Sequence, residues 1–333
     1  MDEIAPPALA AEWDNVGLLL GRRAARVRRL CLTIDLTEPV LAEALRRRAE
    51  MVVAYHPPIF KPIGRLTAEE TPVLWSAARA GLAVYSPHTA LDAAPGGTND
   101  VLAGAIGMAE HRPLEPIAPP AGCKLVVFVP PADAGRVASA AFAAGAGRIG
   151  QYAECSFRTA GVGTFRGGPG SRPAVGRPGR RQHVEELRLE VLVPRDRLGP
   201  VVEAIRAAHS YQTPAIDVYP LEPLSEGTGM GRVGPLRRPV ELGTFVRRVK
   251  RALGLRRVLL GGPADRRVRL AACCAGSCGD LFRRALAAGA DAYVTGEMRH
   301  HDALAAAAGG MTVLCVGHSN SERLALAHLA RRL

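Results

Sequence analysis

Leu82-Ala83-Val84-Tyr85-Ser86-Pro87-His88-Thr89-Ala90-Leu91-Asp92 is the stretch on which the fold turns. Leu82 to Ser86 is a short apolar run bounded by a breaker, the pattern of a buried strand. Pro87 ends it, because proline has no N–H to give to a central ladder. His88 and Asp92 then stand where the chain turns toward a helix. The same pattern recurs twice. Met51 to Tyr55 runs into His56-Pro57-Pro58-Ile59-Phe60, and Thr312 to Val316 into Gly317-His318-Ser319-Asn320-Ser321-Glu322. In open α/β sheets, ligands bind outside the carboxyl ends of the strands. Three polar motifs at three such ends point to one site.

Working outward, Leu30 to Ile34 reads as a strand, with helical composition from there to about Glu50. Ala68 to Ala80 and Thr98 to Gly107 read as helices. Strand–helix alternation predicts an α/β fold, a mainly parallel sheet with flanking helices. It resumes near the carboxyl end. Leu242–Leu253 and Cys278–Ala288 are expected helices; Val258–Leu260, Val268–Cys273, Asp291–Thr295 and Thr312–Val316 are expected strands. A last helix starts near Ser319.

The middle differs. Strands are expected at Lys124–Val129, Gln151–Phe157, Gly161–Phe165, Glu186–Val193 and Ala215–Tyr219, with helices at Ala134–Ala144 and Leu198–His209. That approximates a βαββαβ ferredoxin-like (α+β) module. Residues 1–122 and 223–333 therefore form the expected core domain, with residues 123–222 inserted in it. Arg166 to Gln182 reads as a surface loop, and Glu222 to Pro235 as a Gly/Pro-rich connector.

Bulk properties narrow the function. A hydrophobic content of 48% marks a globular chain. No apolar run approaches the ~18 residues needed to span a bilayer. The acidic start, Met1-Asp2-Glu3, lacks a basic leader region, so a cytoplasmic location is expected. The net charge of +12 invites a nucleic-acid reading, but aromatics are only 5%, which leaves few stacking platforms. Nucleic acid is not expected as the partner. The seven cysteines are odd in number and include no CxxC pair, so reduced thiols are expected. Cys273, Cys274 and Cys278 lack the usual zinc spacing.

Histidine and carboxylate side chains without cysteine suit a divalent transition metal. Each candidate has a plainer alternative. His56 can be a turn histidine bonded to backbone. Asp92 can serve the Gly96-Gly97-Thr98 turn rather than join His88 on a metal. His318 and Glu322 are four apart and share a helical face, yet Ser319 to Glu322 also fits a capping box. Glu297, His300 and His301 follow another strand, and His301 or Glu297 is a candidate proton carrier. Cys274 to Gly279 could hold phosphate at a helix start, although it is not a Walker A loop.

Together these motifs carry a family resemblance over nearly the whole chain. Trp13-Asp14-Asn15-Val16-Gly17-Leu18, Ser86 to Gly97, Gly296 to Asp302 and His318 to Arg323 resemble motifs of a dinuclear-metal-centre family. These are the GTP cyclohydrolase 1 type 2, or Ngg-interacting-factor-3-like, proteins. Gly147 to Tyr152, Gly163 to Arg166 and His209 to Ala215 are similar to the inserted domain of its longer members. The resemblance implies metal ligands at His56, His88, Asp92, His318 and Glu322, with Glu322 bridging two ions. One or two divalent ions (zinc, iron, manganese or nickel) per subunit are expected. Many members have His-His-Pro where this chain has Tyr55-His56-Pro57. Tyr55 is a poor ligand while protonated, and is carried instead as a candidate catalytic residue.

The resemblance also implies a ring-shaped homo-hexamer. The expected activity is metal-dependent hydrolysis of a small molecule, with a purine nucleotide such as GTP opened at its imidazole ring. The alternative is a regulatory or scaffold hexamer whose inserted domain senses a ligand, with structural metals.

Overall fold

The computed structural model describes residues 1–117, 122–222 and 227–333. The chain divides into two compact units, Met1–Ile117 with Ser225–Leu333, and Ala118–Leu224. Residues 223–226 of the expected connector lie outside the described residues, as do residues 118–121.

The first half of the discontinuous unit runs β1 (Gly17–Leu20), β2 (Leu30–Thr33), α1 (Glu38–Arg46), β3 (Met51–Ala54), α2 (Pro72–Arg79), β4 (Ala83–Ser86), α3 (His88–Ala93), α4 (Thr98–Ile106) and β5 (Arg112–Pro116). The inserted unit runs β6 (Cys123–Val129), α5 (Ala134–Ala143), β7 (Ser156–Arg166), β8 (Arg181–Val193), α6 (Leu198–Ala208) and β9 (Ile216–Pro220). The chain then returns through β10 (Gly229–Glu241), α7 (Leu242–Leu253), β11 (Leu259–Gly261), β12 (Arg267–Ser277), α8 (Leu281–Ala287), β13 (Ala292–Glu297), α9 (His300–Ala308), β14 (Thr312–Cys315) and α10 (His318–Arg332).

The discontinuous unit holds two sheets, ordered β1-β4-β3-β2 and β11-β14-β13-β12-β10-β5. Parallel pairing occupies the middle of each, at β2/β3/β4 and β12/β13/β14. Antiparallel strands are added at the edges, so both sheets are mixed within the expected α/β class. Side-chain alternation along β3 explains how the first sheet is covered on both faces. Val52 and Ala54 pack with Leu41, Ala77 and Val84 under α1 and α2. Val53 and Tyr55 point the other way, toward Leu91 of α3 and Leu329 of α10. The second sheet is buried likewise, with Phe245 and Val249 of α7 against one face and Phe282 and Ala285 of α8 against the other.

The strand β10 passes through the region read as a connector. Its glycines mislead, because they serve close packing. A Cβ at Gly234 would stand 1.9 Å from the Glu110 carbonyl oxygen, and one at Gly231 2.8 Å from Leu281. Arg232, only 1% exposed, is tolerated there because Asp100 pairs its guanidinium and the carbonyls of Gly229 and Gly231 accept from Nη1. In the inserted unit, the strand expected at 161–165 lies within one longer strand, β7, which takes in only Ser156 and Phe157 of the strand expected at 151–157; residues 151–155 lie outside it. Its partner β8 follows across the hairpin, and the order β7-β8-β6-β9 is that of a ferredoxin-like sheet. The reduced-thiol expectation also needs correction. A tight turn at Gly276 (φ +73°) and a bulge between Cys274 and Ser277 bring Cys278 back to Cys274, and the two form a disulfide. Cys31, Cys123, Cys155, Cys273 and Cys315 are free thiols.

Asp291 shows how the second sheet is locked at one end. It is 6% exposed, and its carboxylate accepts from the Arg269 and Leu270 amides at 2.8 and 3.0 Å and from Arg266 at 2.7 Å. Burial pushes its pKa up, but these donors outweigh burial and hold it below the ordinary value. A carboxyl depressed in the folded state adds stability above its unfolded pKa, lost as pH falls through the folded one. Asp291→Asn is expected to lower unfolding free energy by about 2 kcal/mol at pH 7. Denaturant melts should show the gap closing below about pH 4; a constant gap would contradict this account.

Candidate metal centre

Parallel register builds the site. Thr33 pairs with Ala54, so two residues further on Asp35 faces His56 across the ends of β2 and β3. His56 Nδ1 sits 2.8 Å from Asp35 Oδ1. His318, at the start of α10, has its Nδ1 2.7 Å from Glu297 Oε1 at the end of β13. His88, at the start of α3, has its Nδ1 2.8 Å from Asp14 Oδ1. In each pair Nδ1–H donates to the carboxylate, which fixes the tautomer and frees Nε2 to bind. A carboxylate behind a histidine is the arrangement that orients imidazole ligands on metals and raises their basicity.

The Nε2 atoms of His56 and His318 converge on Glu322. They lie 3.4 and 3.2 Å from Glu322 Oε1, and the ligand atoms of the three residues are all within 4.8 Å of one another. Glu322 is 2% exposed and does not cap its helix, so the capping-box reading fails. Asn320 and Ser321 serve the helix start instead, donating to the Val316 and His318 carbonyls. Glu322 Oε2 is buried without a hydrogen-bond partner. Gly276 makes the room: a Cβ there would stand 2.9 Å from Glu322 Oε1 and 3.5 Å from His318 Nε2.

His88 and Asp92 complete the same wall. The His88 ring lies 5.4 Å from that of His56, and His88, Asp92, His318 and Glu322 line one cavity of about 610 Å³. His88 has φ +23°, an outlier for a non-glycine residue, held by the Asp14 contact on its ring and Asp14 contacts to Thr89. Asp92 does not serve the glycine turn; Asp100 accepts from the Gly96 amide there. Tyr55, fully buried, donates its hydroxyl to Asp92 and lies 3.0 Å from Thr98 Oγ1.

The electrostatics favour a cation. Burial pushes Asp92 up to about 6, with the Tyr55 hydrogen bond opposing it and the nearby Glu322 charge adding to it. The Glu322 contact, reinforced by Asp35 against the effect of burial, raises His56 to about 9. Burial, then the charges of Asp92 and Glu322, hold the Tyr55 phenol well above its ordinary range, so it stays protonated. Burial raises Asp14 too, but the His88 and Thr89 contacts outweigh it and leave Asp14 lowered. Two buried carboxylates, an orphaned oxygen and oriented imidazoles fit a bound divalent ion.

Other candidates fall elsewhere. His300 and His301 are exposed at the start of α9, their rings edge to face 5.4 Å apart, and neither lines the cavity. Glu297 reaches the site only through His318. Asp14 and Asp35 had no ligand role in the sequence reading. For Asp35 the signal was available, because neighbouring parallel strands place residues of equal offset side by side.

The chain belongs to the Duf34/NIF3 (NGG1p interacting factor 3) family, whose model matches residues 1–333. Among its relatives is a GTP cyclohydrolase 1 type 2 homolog of Halalkalibacterium halodurans, 35% identical over 317 residues, covering 95% of this chain and 85% of that one. A Bacillus cereus protein related to NIF3 has a solved structure with a TM-score of 0.77 at 33% identity, covering 99% of this chain and 90% of its own. A Staphylococcus aureus structure shares the fold, with a TM-score of 0.82 at 24% identity over 99% of this chain and 89% of its own.

Metal titration tests the site. Glu322→Ala is expected to abolish high-affinity zinc binding. Asp35→Ala, which leaves every candidate ligand in place, should weaken it about 10- to 100-fold in chelator competition. Unchanged affinity in both variants would show that the cluster holds no metal.

Proposed function

We propose that this protein is a metal-dependent hydrolase acting on a small molecule, with a purine nucleotide as substrate. The observation that carries the reading is the convergence of His56 and His318, each backed by a carboxylate, on the buried Glu322, whose Oε2 has no hydrogen-bond partner. His56, His318 and Glu322 would hold one ion, and His88 and Asp92 are the ligands proposed for a second. A bound divalent ion supplies Lewis acidity and lowers the pKa of water to near neutrality. Metal identity is proposed only within the set zinc, iron, manganese or nickel.

The chain's own groups supply the rest. Tyr55 keeps its proton between Asp92 and Thr98 and so orients Asp92 rather than acting as a base. Glu297 holds the proton on His318 Nδ1. Trp13 and Phe60 line the cavity with their rings 5.9 Å apart, 64% and 48% exposed, and offer faces for a flat base. Arg284 lines the same cavity and offers a fork for phosphate, at present paired with Glu115 at 2.7 Å. The purine reading is supported by the name of the Halalkalibacterium halodurans relative, a GTP cyclohydrolase 1 type 2 homolog. Assembly as a homo-hexamer and a cytoplasmic location belong to the same proposal. No helix among the described residues is long and apolar enough to cross a membrane.

Protein reconstituted with each of the four metals is expected to convert GTP to a ring-opened product detectable by its ultraviolet spectrum. His318→Ala should lose at least about 100-fold in kcat. Bound metal without turnover of any purine nucleotide would end the substrate reading and leave the metal site intact. Light scattering on the same protein should give six times the chain mass; a monomer or dimer would refute the hexamer.

A further inference from the structure

The inserted unit contains a second cavity, which the metal chemistry does not use. Its sheet buries one face, with Leu187, Leu189, Val191 and Val193 of β8 turned toward α5 and α6. The alternate residues face the other way. Glu186 is one of them. Gly161 is its register partner, and Gly163 and Phe165 share that face two and four residues along β7. Phe128 of β6, opposite Arg188, lies on the same face. Over this face the segment 167–174 and the turn Tyr211–Ala215 enclose a cavity of about 400 Å³. That is the size of pocket that takes a one- or two-ring molecule.

The walls are built. His209, 8% exposed, donates from Nε2 to the Phe128 carbonyl at 3.0 Å and accepts the Tyr211 amide on Nδ1 at 2.9 Å. It thereby fixes the Tyr211 turn. The Arg172 amide donates to Gln212 Oε1 at 3.1 Å, which ties the hairpin segment to that turn. Phe128, Phe165 and Tyr211 give aromatic walls, with the Phe165 and Tyr211 rings 6.4 Å apart.

Thr164, Ser171, Arg172, Gln212 and Thr213 also line the space, and Tyr211 and Glu186 stand beside its aromatic walls. Tyr211 Oη is buried beside the Glu186 carboxylate, without a hydrogen bond of ordinary geometry. The Glu186 carboxylate lies folded over Gly163, where a Cβ would stand 2.0 Å from Glu186 Oε2. Only glycine at 163 lets the carboxylate lie there. Burial, then the Glu186 contact, pushes Tyr211 up to about 12, so its hydroxyl keeps a proton to donate.

We infer that this cavity is a binding site for a flat aromatic small molecule carrying an amidine-type edge. Two adjacent N–H groups of the ligand donate to Glu186, and its ring lies among Phe128, Phe165 and Tyr211. A carboxylate accepts such a paired donor in bidentate fashion, as it does a guanidinium. The aromatic walls reduce the solvent around that contact and so strengthen it.

The test uses the full chain and three probes of one shape: benzamidine, benzamide and benzoate, titrated by calorimetry. Benzamidine is expected to bind, and benzamide and benzoate to bind at least about tenfold more weakly. Glu186→Gln, which keeps the side-chain shape, should cost benzamidine about tenfold or more, and Gly163→Val should abolish binding by displacing the carboxylate. Glu322→Ala, in the other unit, should retain it, which places the probe away from the metal centre. Thermal melts confirm that each variant is folded. No saturable benzamidine binding at millimolar probe, equal affinity in Glu186→Gln, or loss only in Glu322→Ala would each overturn the inference.

Discussion

Glu322 is the residue on which the discontinuous unit depends. A carboxylate buried beside a second carboxylate, Asp92, is unfavourable unless positive charge offsets it. The protein brings imidazoles to it and then holds each imidazole by a further carboxylate at the protein surface or in the wall. The result is a nested arrangement, acid around base around acid, with one buried oxygen left unmatched. The fold around it can be understood as the means of holding these groups together against their desolvation cost. Parallel strand ends supply His56, Asp35 and Glu297, and helix starts supply His88, His318 and Glu322.

Much of this was legible in the residues. The short apolar runs ending in His-Pro, Pro-His and Gly-His located β3, β4 and β14, and their ends do meet. The four-residue spacing of His318 and Glu322 told correctly that both side chains share a face. Sequence could not choose between metal ligand and capping box for Glu322, because both need the same residue at the same spacing. Only the direction of the side chain decides. Asp14 was hidden for another reason: it lies in an irregular segment whose approach to His88 no periodicity reports.

The errors also have physical causes. Glycine and proline in β10 looked like a linker because composition records flexibility and not crowding. Here the glycines are needed because backbones approach too closely for a Cβ, and the strand buries an arginine that sequence patterning places outside. The expectation of two strands leaves a gap at Arg158-Thr159-Ala160. Yet the strand is continuous, and Gly163 is where the Glu186 carboxylate comes to rest. The disulfide was missed because four residues in an extended strand would span far more than the 6.3 Å between its Cα atoms; the turn at Gly276 closes that distance.

His56 and Glu322 are 266 residues apart in the chain and a hydrogen-bond length apart in space. During synthesis at about 5–20 residues per second, His56 and His88 leave the ribosome at least about ten seconds before the helix that completes their cluster. The whole inserted unit emerges in that interval. For that time the nascent chain carries two histidines at strand ends, each with its carboxylate, but lacks the acid they surround. The cluster is thus completed only once the last helix is made, and a chain cut short of α10 would lack both His318 and Glu322.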